Sequence, residues 1–207
     1  MRVFGVMAAV AALAGCAYKA DPISAPSYNV VTSFSQKVPG RWLLATEAAP
    51  LNQNVKPGGQ ACSAHTFPIE LEAAFRTSVS ETLRNTFEHI EDVPKPIPGD
   101  QIKRRGARGI IVVRGEELRP RLDVQQGFWA PNMRTQVMVV ASVYVDGPNG
   151  RIFGQTFEGQ GQSDAEGGFM CQGGAKSLTE SAATATRDTV RKIAEALGNS
   201  DRLRSPK

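Results

Sequence analysis

The chain has 207 residues, which is enough for one domain of ordinary size with a buried core. Hydrophobic residues make up 41% and charged residues 21%, a globular balance that excludes a disordered chain. The formal net charge is only +4 and aromatic residues make up 7%, so we expect no nucleic-acid partner.

Residues 1–15 differ from the rest of the chain. Arg2 is followed by an almost unbroken apolar run over residues 3–12, which has the length of a signal-peptide core and is too short to span a bilayer as a helix. The next four residues, Leu-Ala-Gly-Cys, resemble the lipobox of bacterial lipoproteins. This resemblance implies that the signal peptide is removed before Cys16 and that the Cys16 thiol carries a diacylglyceryl group.

A lipid at Cys16 would be the membrane partner of this chain. A mature lipoprotein of this type carries three acyl chains, and two or more are enough to hold a protein stably on a bilayer. Ala17 follows the cysteine where an Asp could stand. In lipoproteins of the enterobacterial type, this arrangement implies sorting to the outer membrane, with the domain in the periplasm.

Residues 16–39 are predicted to form a flexible tether. The segment contains Pro22, Pro26 and several serines, and it shows little hydrophobic periodicity. A coil of this length reaches about 25 Å. We therefore expect a globular domain over residues 40–197 that stands off the membrane.

The domain begins with a strand followed by a helix. Residues 41–45 are a short apolar run typical of a buried strand. The helix is predicted to begin near Thr66 and Pro68 and to end before the prolines at 94, 96 and 98. Its apolar stripe repeats every three or four residues and consists of Leu71, Phe75, Val79, Leu83, Phe87 and Ile90.

Three strands are predicted next. Residues 109–115 are rich in β-branched side chains, and this strand can continue past Pro120 only as an edge. Residues 136–146 alternate as a long central strand, and the turn at residues 146–150 leads into a partner strand over residues 151–161.

A glycine-rich loop over residues 159–174 is predicted to precede a second helix over residues 175–197, and residues 198–207 form a polar, frayed tail. The element order is therefore β-α-β-β-β-α. This order predicts a two-layer α+β domain with a four-stranded, mixed but mostly antiparallel sheet and both helices packed on one face.

Cys62 and Cys171 remain once Cys16 is assigned to the lipid. An oxidising compartment favours a disulfide between them. Each lies shortly before a predicted helix, so their pairing is expected if the two helices pack side by side. The alternative is a metal site in which His65 joins both cysteines, but it lacks a fourth ligand.

Other chemistry is weakly indicated. Residues 161–165, Gly-Gln-Ser-Asp-Ala, come close to the nucleophile elbow of hydrolases around Ser163, but a long loop would separate the strand from the helix. Residues 159–161 begin like a dinucleotide fingerprint that position 164 breaks. Glycoside cleavage would require paired carboxylates, for which Glu116-Glu117 and Asp164/Glu166 are the candidates. We expect no enzyme activity, cofactor or metal.

Two segments are candidates for partner binding. The run Lys103, Arg104 and Arg105 is suited to anionic groups such as lipid phosphates or the acidic face of a protein, although a solvated linker explains it equally well. The segment around Phe128, Trp129 and Met133 places large apolar residues in a predicted loop, where they either plug the core or form a contact patch.

The element order behind a lipobox, the helix stripes and the turn at residues 147–150 resemble a group of small envelope lipoproteins. The group includes the lipid-anchored auxiliary subunits of ABC transporters and related domains of curli-secretion lipoproteins and penicillin-binding-protein activators. The resemblance implies a non-catalytic lipoprotein that assists the assembly, anchoring or regulation of an envelope complex. The alternative is a carrier of a lipid or other apolar ligand, with a cavity beside the small residues Ala182, Ala183 and Ala185.

Overall fold

The computed structural model describes residues 31–58, 62–125, 132–168 and 171–205. Its main sheet has five strands, which are β1 (Val38–Glu47), β4 (Phe87–Asp92), β5 (Gly109–Gln125), β6 (Asn132–Gly147) and β7 (Gly150–Glu166). Two short strands, β2 (Asn52–Val55) and β3 (Phe67–Glu70), pair antiparallel with each other. The helices are α1 (Glu72–Thr86), α2 (Gly99–Arg104), α3 (Gln172–Gly198) and α4 (Asp201–Arg204).

The strand order of the main sheet is β4-β1-β5-β6-β7. β1 is parallel to both of its neighbours, while β5, β6 and β7 form an antiparallel meander with a two-residue turn after Gly147. β1 pairs with β5 only as far as Arg114, and no other strand of the main sheet lies beside the rest of β5 in the described residues. This edge is partly occupied, because the Gly58 N–H donates to the Leu122 carbonyl at 2.8 Å and Gln53 Nε2 donates to the Leu118 carbonyl at 2.7 Å. Pro120 lies in this part of β5, where the missing N–H breaks no pairing with β1.

The core lies between the sheet and the two long helices. α1 packs on β1 and β4 and α3 packs on β6 and β7, on the face of the sheet to which β6 contributes Val137, Val139, Ala141, Val143 and Val145. The opposite face is covered at only one end, where Ile102 of α2 packs in a second cluster with Leu43, Ala45, Ile110 and Val112. The mixed sheet with both long helices on one face therefore agrees with the predicted class.

The predicted four-stranded sheet is wrong because the first helix ends earlier than its apolar stripe. α1 stops at Thr86, and residues 87–92 form β4, the parallel edge partner of β1. Phe87 is fully buried, with its ring centroid 5.6 Å from that of Trp42. Phe87 and Ile90 continue the helical spacing, so periodicity alone could not show that β1 offers them backbone partners.

The predicted glycine-rich loop is also largely strand, since β7 continues to Glu166. A Cβ on Gly159 would lie 2.1 Å from Thr189 Oγ1, and a Cβ on Gly161 would lie 2.0 Å from the carbonyl oxygen of Ser181. These glycines allow α3 to lie directly against β7 and do not mark a turn.

Both ends of the described chain meet at the end of α3. The Ser33 N–H donates to Asn199 Oδ1 at 2.6 Å, and Asn199 Nδ2 donates to the carbonyl of Val31 at 3.1 Å. The tail predicted to fray contains α4, whose Leu203 is fully buried. Strand β1 begins at Val38, within the segment predicted as tether. Among the described residues, none of the helices is long and apolar enough to cross a membrane.

Candidate interaction surfaces

The sheet gives the molecule two opposite ends. At the first, β1, β4 and β5 begin, α1 and α3 finish, and the chain enters from residue 31; we call this the tether end. At the second, β5 and β7 finish and α3 begins; we call this the disulfide end. β6 has 16 residues, so the two ends lie roughly 50 Å apart.

The predicted disulfide joins Cys62 to Cys171, with Cα atoms 6.1 Å apart. Cys171 lies immediately before α3, and Cys62 lies in the segment that leads to β3 and α1. The metal interpretation is therefore wrong, since both sulfur atoms are bonded to each other. The His65 ring stacks on Phe67, with their centroids 6.3 Å apart. No group of three potential metal ligands occurs in the described part of the chain.

Phe128 and Trp129 lie outside the described residues, while Met133 lies within them at the start of β6. Met133 is only 1% exposed and belongs to the main core cluster, and its sulfur lies beside Gly174 of α3. As a correction, Met133 is a core residue, because its position in β6 turns its side chain toward α3. Met133 therefore does not contribute to a contact surface in this segment.

The long ends of β5, β6 and β7 present a surface that no described helix covers, and we call it the open face. It is the side of these strands opposite α1 and α3, beyond the region that α2 covers. A surface pocket of about 330 Å³ lies on it. The pocket is lined by Arg119, Pro120, Arg121, Gln136, Val137, Met138, Gln160, Gly161 and Gln162.

Two ion pairs lie within the open face. Arg119 donates two hydrogen bonds of 2.6 Å to Glu117, and Arg134 donates one of 2.9 Å to Asp164. The hydrogen bond from Arg119 lowers the pKa of Glu117 from its ordinary value. Arg121 is exposed and has no ion pair or hydrogen bond with any described residue. It is therefore a cation on this face that is free for a partner.

Sequence reasoning missed the open face. The available signal was in β6, where Arg134 and Gln136 alternate with buried Thr135 and Val137. The half-buried Met138 and Val140 on the same side led to the expectation of a strand covered on both faces. On this side of the sheet only α2 covers the strands, and it covers only one end of them. The local sequence of a strand does not indicate how far such a helix extends.

The free edge of β7 is partly occupied by side chains of α3. Asp188 accepts a hydrogen bond from the Gln160 N–H at 3.4 Å, and Lys192 donates to the Glu158 carbonyl at 2.7 Å. Burial raises the pKa of Asp188, but hydrogen bonds from Lys192 and Arg191 outweigh it and leave the pKa below its ordinary value. The capped edge favours contacts through side chains of the face over the addition of a strand at β7.

Lys103, Arg104 and Arg105 are exposed at the tether end. Lys103 and Arg104 lie in the last turn of α2, which replaces the predicted connection. Arg104 pairs with Asp100 at 2.8 Å, and Arg105 pairs with Glu91 at 3.3 Å. Lys103 has no carboxylate within salt-bridge distance among the described residues.

The structure does not assemble the catalytic arrangements considered above. Ser163 lies within β7 and donates to Glu180 Oε2 at 2.7 Å, so the strand-to-helix turn of a nucleophile elbow is absent there. A glycosidase acid requires a raised pKa, whereas the pKa of Glu117 is lowered. Glu116 accepts a hydrogen bond from Ser142, and Asp164 is paired with Arg134.

The small residues of α3, beside which the carrier alternative expects a cavity, lie against β7 in the described part of the chain. Ala182 and Ala185 are buried, and a Cβ on Gly161 would lie 2.7 Å from the Ala185 backbone nitrogen. Small residues on both sides bring the α3 backbone onto β7, so they are used for contact.

No family model matches the chain, and no curated protein matches it. Among solved structures, a putative neuraminyllactose-binding hemagglutinin homolog from Helicobacter pylori is 9% identical with a TM-score of 0.45, over 85% of this chain and 91% of that one. A protein from Xanthomonas campestris is 11% identical with a TM-score of 0.41, over 88% and 91%. A minor lipoprotein from Acinetobacter baumannii is 11% identical with a TM-score of 0.33, over 75% and 87%. Similarity at this level carries no information about function.

Proposed function

We propose that this chain is a non-catalytic lipoprotein of the bacterial envelope, which binds a partner protein through the open face and so assists the assembly, anchoring or regulation of an envelope complex. The observation that carries the proposal is the open face itself. Three long strands present polar and half-buried apolar side chains to solvent, while the residues that alternate with them on the other face are buried or half-buried.

The composition of the open face favours a protein as the partner. Gln136, Gln160 and Gln162 offer hydrogen-bond donors and acceptors side by side, and the half-buried Met138 and Val140 provide apolar area between the charged groups. Polar side chains around a small apolar centre are typical of non-obligate protein interfaces. Arg121 has the residue type that most often contributes strongly to binding at such interfaces.

The lipid anchor would orient this surface. Residues 31–37 lie at the tether end, so a lipid on Cys16 would hold that end toward the bilayer, at the outer membrane if Ala17 directs sorting as expected. The disulfide end, with the outer part of the open face, would then point into the periplasm. Phe128 and Trp129, between β5 and β6, would extend the contact surface at that end.

Site-specific photo-crosslinking in intact cells tests the proposal. A photoreactive residue at position 136 or 162 of the open face is expected to give a discrete protein adduct, and one at Glu81, exposed on α1, is expected to give none. Arg121→Glu should reduce the adduct about tenfold, whereas Arg76→Glu on α1 should not change it. The pair Phe128→Ser and Trp129→Ser should leave the fold intact and weaken the adduct.

The opposite outcomes are equally definite. Equal adducts from positions 136, 162 and 81, or no adduct from the open face, would contradict the partner site. The anchor is tested separately by labelled palmitate, which we expect to enter the wild-type protein and not the Cys16→Ser variant. Equal labelling would overturn the lipoprotein assignment without affecting the crosslinking result.

A further inference from the structure

A group of cations surrounds the point at which the chain enters the fold. Arg41, Lys103, Arg104, Arg105 and Arg202 are all exposed, and they come from β1, α2, the segment after α2, and α4. We call these five residues the basic end face. Only three of them are consecutive in sequence, so the cluster is formed by the fold.

Hydrogen bonds join the parts of this face into one surface. Arg41 Nη1 donates to the carbonyl of Arg105 at 3.3 Å, which connects β1 with the end of α2. Arg108 donates to the carbonyl of Pro39 at 2.9 Å and also to the carbonyl of Ser205, just after α4. Arg202 lies in the turn of α4 that precedes this contact. These hydrogen bonds hold together the three parts of the chain that carry the cations, which are the start of β1, the end of α2 and α4.

Carboxylates neutralise this surface only in part. Arg41 and Arg105 share the single carboxylate of Glu91, and Arg104 pairs with Asp100. Lys103 and Arg202 have no ion-pair partner among the described residues. The five cations therefore outnumber the carboxylates of Glu91, Asp100 and Asp201, so the surface keeps an excess of positive charge.

We propose that the basic end face rests on anionic phospholipid headgroups. This inference rests on the proposed lipid anchor, because a flexible chain of the length that separates Cys16 from Val31 spans on average only about 20 Å, and Val31 lies at the same end of the molecule. The lipid keeps the basic end face close to the bilayer. Attraction between the cations and the anionic headgroups then holds this face within one Debye length of the membrane surface, about 8 Å at physiological salt. Contact at this end turns the open face away from the membrane.

The test uses the lipidated protein reconstituted in vesicles. The native cysteines do not react with a fluorophore, because Cys16 carries the lipid and the other two form the disulfide. A single cysteine introduced in place of Asn149 at the tether end, or of Gln162 at the disulfide end, therefore carries the fluorophore. Vesicles of phosphatidylcholine with 30 mol% phosphatidylglycerol carry a headgroup-linked quencher. We expect several-fold quenching at position 149, little at position 162, and loss of most quenching at 0.5 M salt or in pure phosphatidylcholine.

Charge reversal gives the second arm of the test. Lys103→Glu, Arg104→Glu and Arg105→Glu together should abolish the quenching at position 149, since each basic residue near an anionic surface contributes about a fivefold change in binding. The control reverses three exposed cations elsewhere, Arg76, Lys176 and Arg187, which gives the same net charge and should leave quenching unchanged.

Equal quenching in both lipid compositions, or equal loss in the two triple variants, would overturn the docking. Failure of the anchor is a different result, because the protein would then not associate with the vesicles at all. The salt arm uses the labelled chain without any charge reversal, so its outcome does not depend on the folding of a triple variant.

Discussion

Thr135 and Thr186 are both fully buried, yet their hydroxyl groups have opposite surroundings. The Thr135 hydroxyl lies 2.9 Å from the carbonyl oxygen of Ser177, 3.0 Å from that of Ser163 and 2.6 Å from the Ser181 hydroxyl. The Thr186 hydroxyl has no hydrogen-bond partner among the described residues. The threonine at position 135 therefore links α3 to the sheet, whereas the threonine at position 186 has a buried hydroxyl group without a hydrogen bond.

Replacement of each threonine by valine should separate these roles. Thr135→Val is expected to lower the free energy of unfolding by about 1 kcal/mol, because it removes a buried hydroxyl that hydrogen-bonds α3 and β7. Thr186→Val should leave the free energy of unfolding unchanged or raise it, since a methyl replaces an unpaired hydroxyl. Urea denaturation of the two variants measures the difference, and equal losses would contradict the assignment.

At the scale of elements, the contact between α3 and β7 determines the shape of the helix layer. Gly159 and Gly161 lie on the helix-facing side of β7, where their missing side chains let the α3 backbone approach the strand. Gly154 lies in the same strand, and a Cβ there would meet only the Arg151 side chain, at 3.7 Å. One strand thus contains glycines required by packing and a glycine that is not.

Gly161→Ala should lower the free energy of unfolding by about 1–3 kcal/mol or more, because the added methyl group overlaps the backbone of α3 and no side chain can rotate away. Gly154→Ala is the matched control and should change the free energy of unfolding by less than about 0.5 kcal/mol. Thermal and urea unfolding measure both variants. Similar small changes in the two would show that α3 does not press on β7 as described.

At the scale of the whole molecule, the disulfide end and the tether end are stabilised differently. The disulfide joins residues 109 positions apart and holds the start of α3 to the segment before β3. The tether end has no such bond, and it is closed by Leu203 in the core and by Arg204 donating to the carbonyl oxygen of Gln36 at 2.8 Å. Loss of the disulfide should therefore destabilise the fold without disturbing the basic end face.

Cys62→Ser together with Cys171→Ser should lower the free energy of unfolding by up to about 4–5 kcal/mol, since the cross-link restricts a long loop in the unfolded chain. A reductant should lower the stability of the wild type toward that of the variant and leave the variant unchanged. A wild type that keeps its melting temperature under reducing conditions would show that the bond is not formed or does not contribute.

Several elements were predictable because their signals are local. The apolar run of β1, the turn between β6 and β7, and the helical stripe of α3 each depend on neighbours in the chain. The pairing of Cys62 with Cys171 followed from their places before two helices on one face. The lipobox, the tether and the loop at Phe128 and Trp129 remain predictions, because they lie wholly or partly outside the described residues.

The sequence by itself determined that two long helices exist, where most of the strands lie and that a basic run stands at residues 103–105, although it placed this run in a connection and not in α2. Only the tertiary structure decided that residues 87–92 form β4, that Met133 is buried, and that Arg41 and Arg202 join the basic run at one end. The physical reason is that strand pairing, burial and surface charge depend on which distant segments come into contact. Hydrophobic periodicity along the chain does not indicate those contacts.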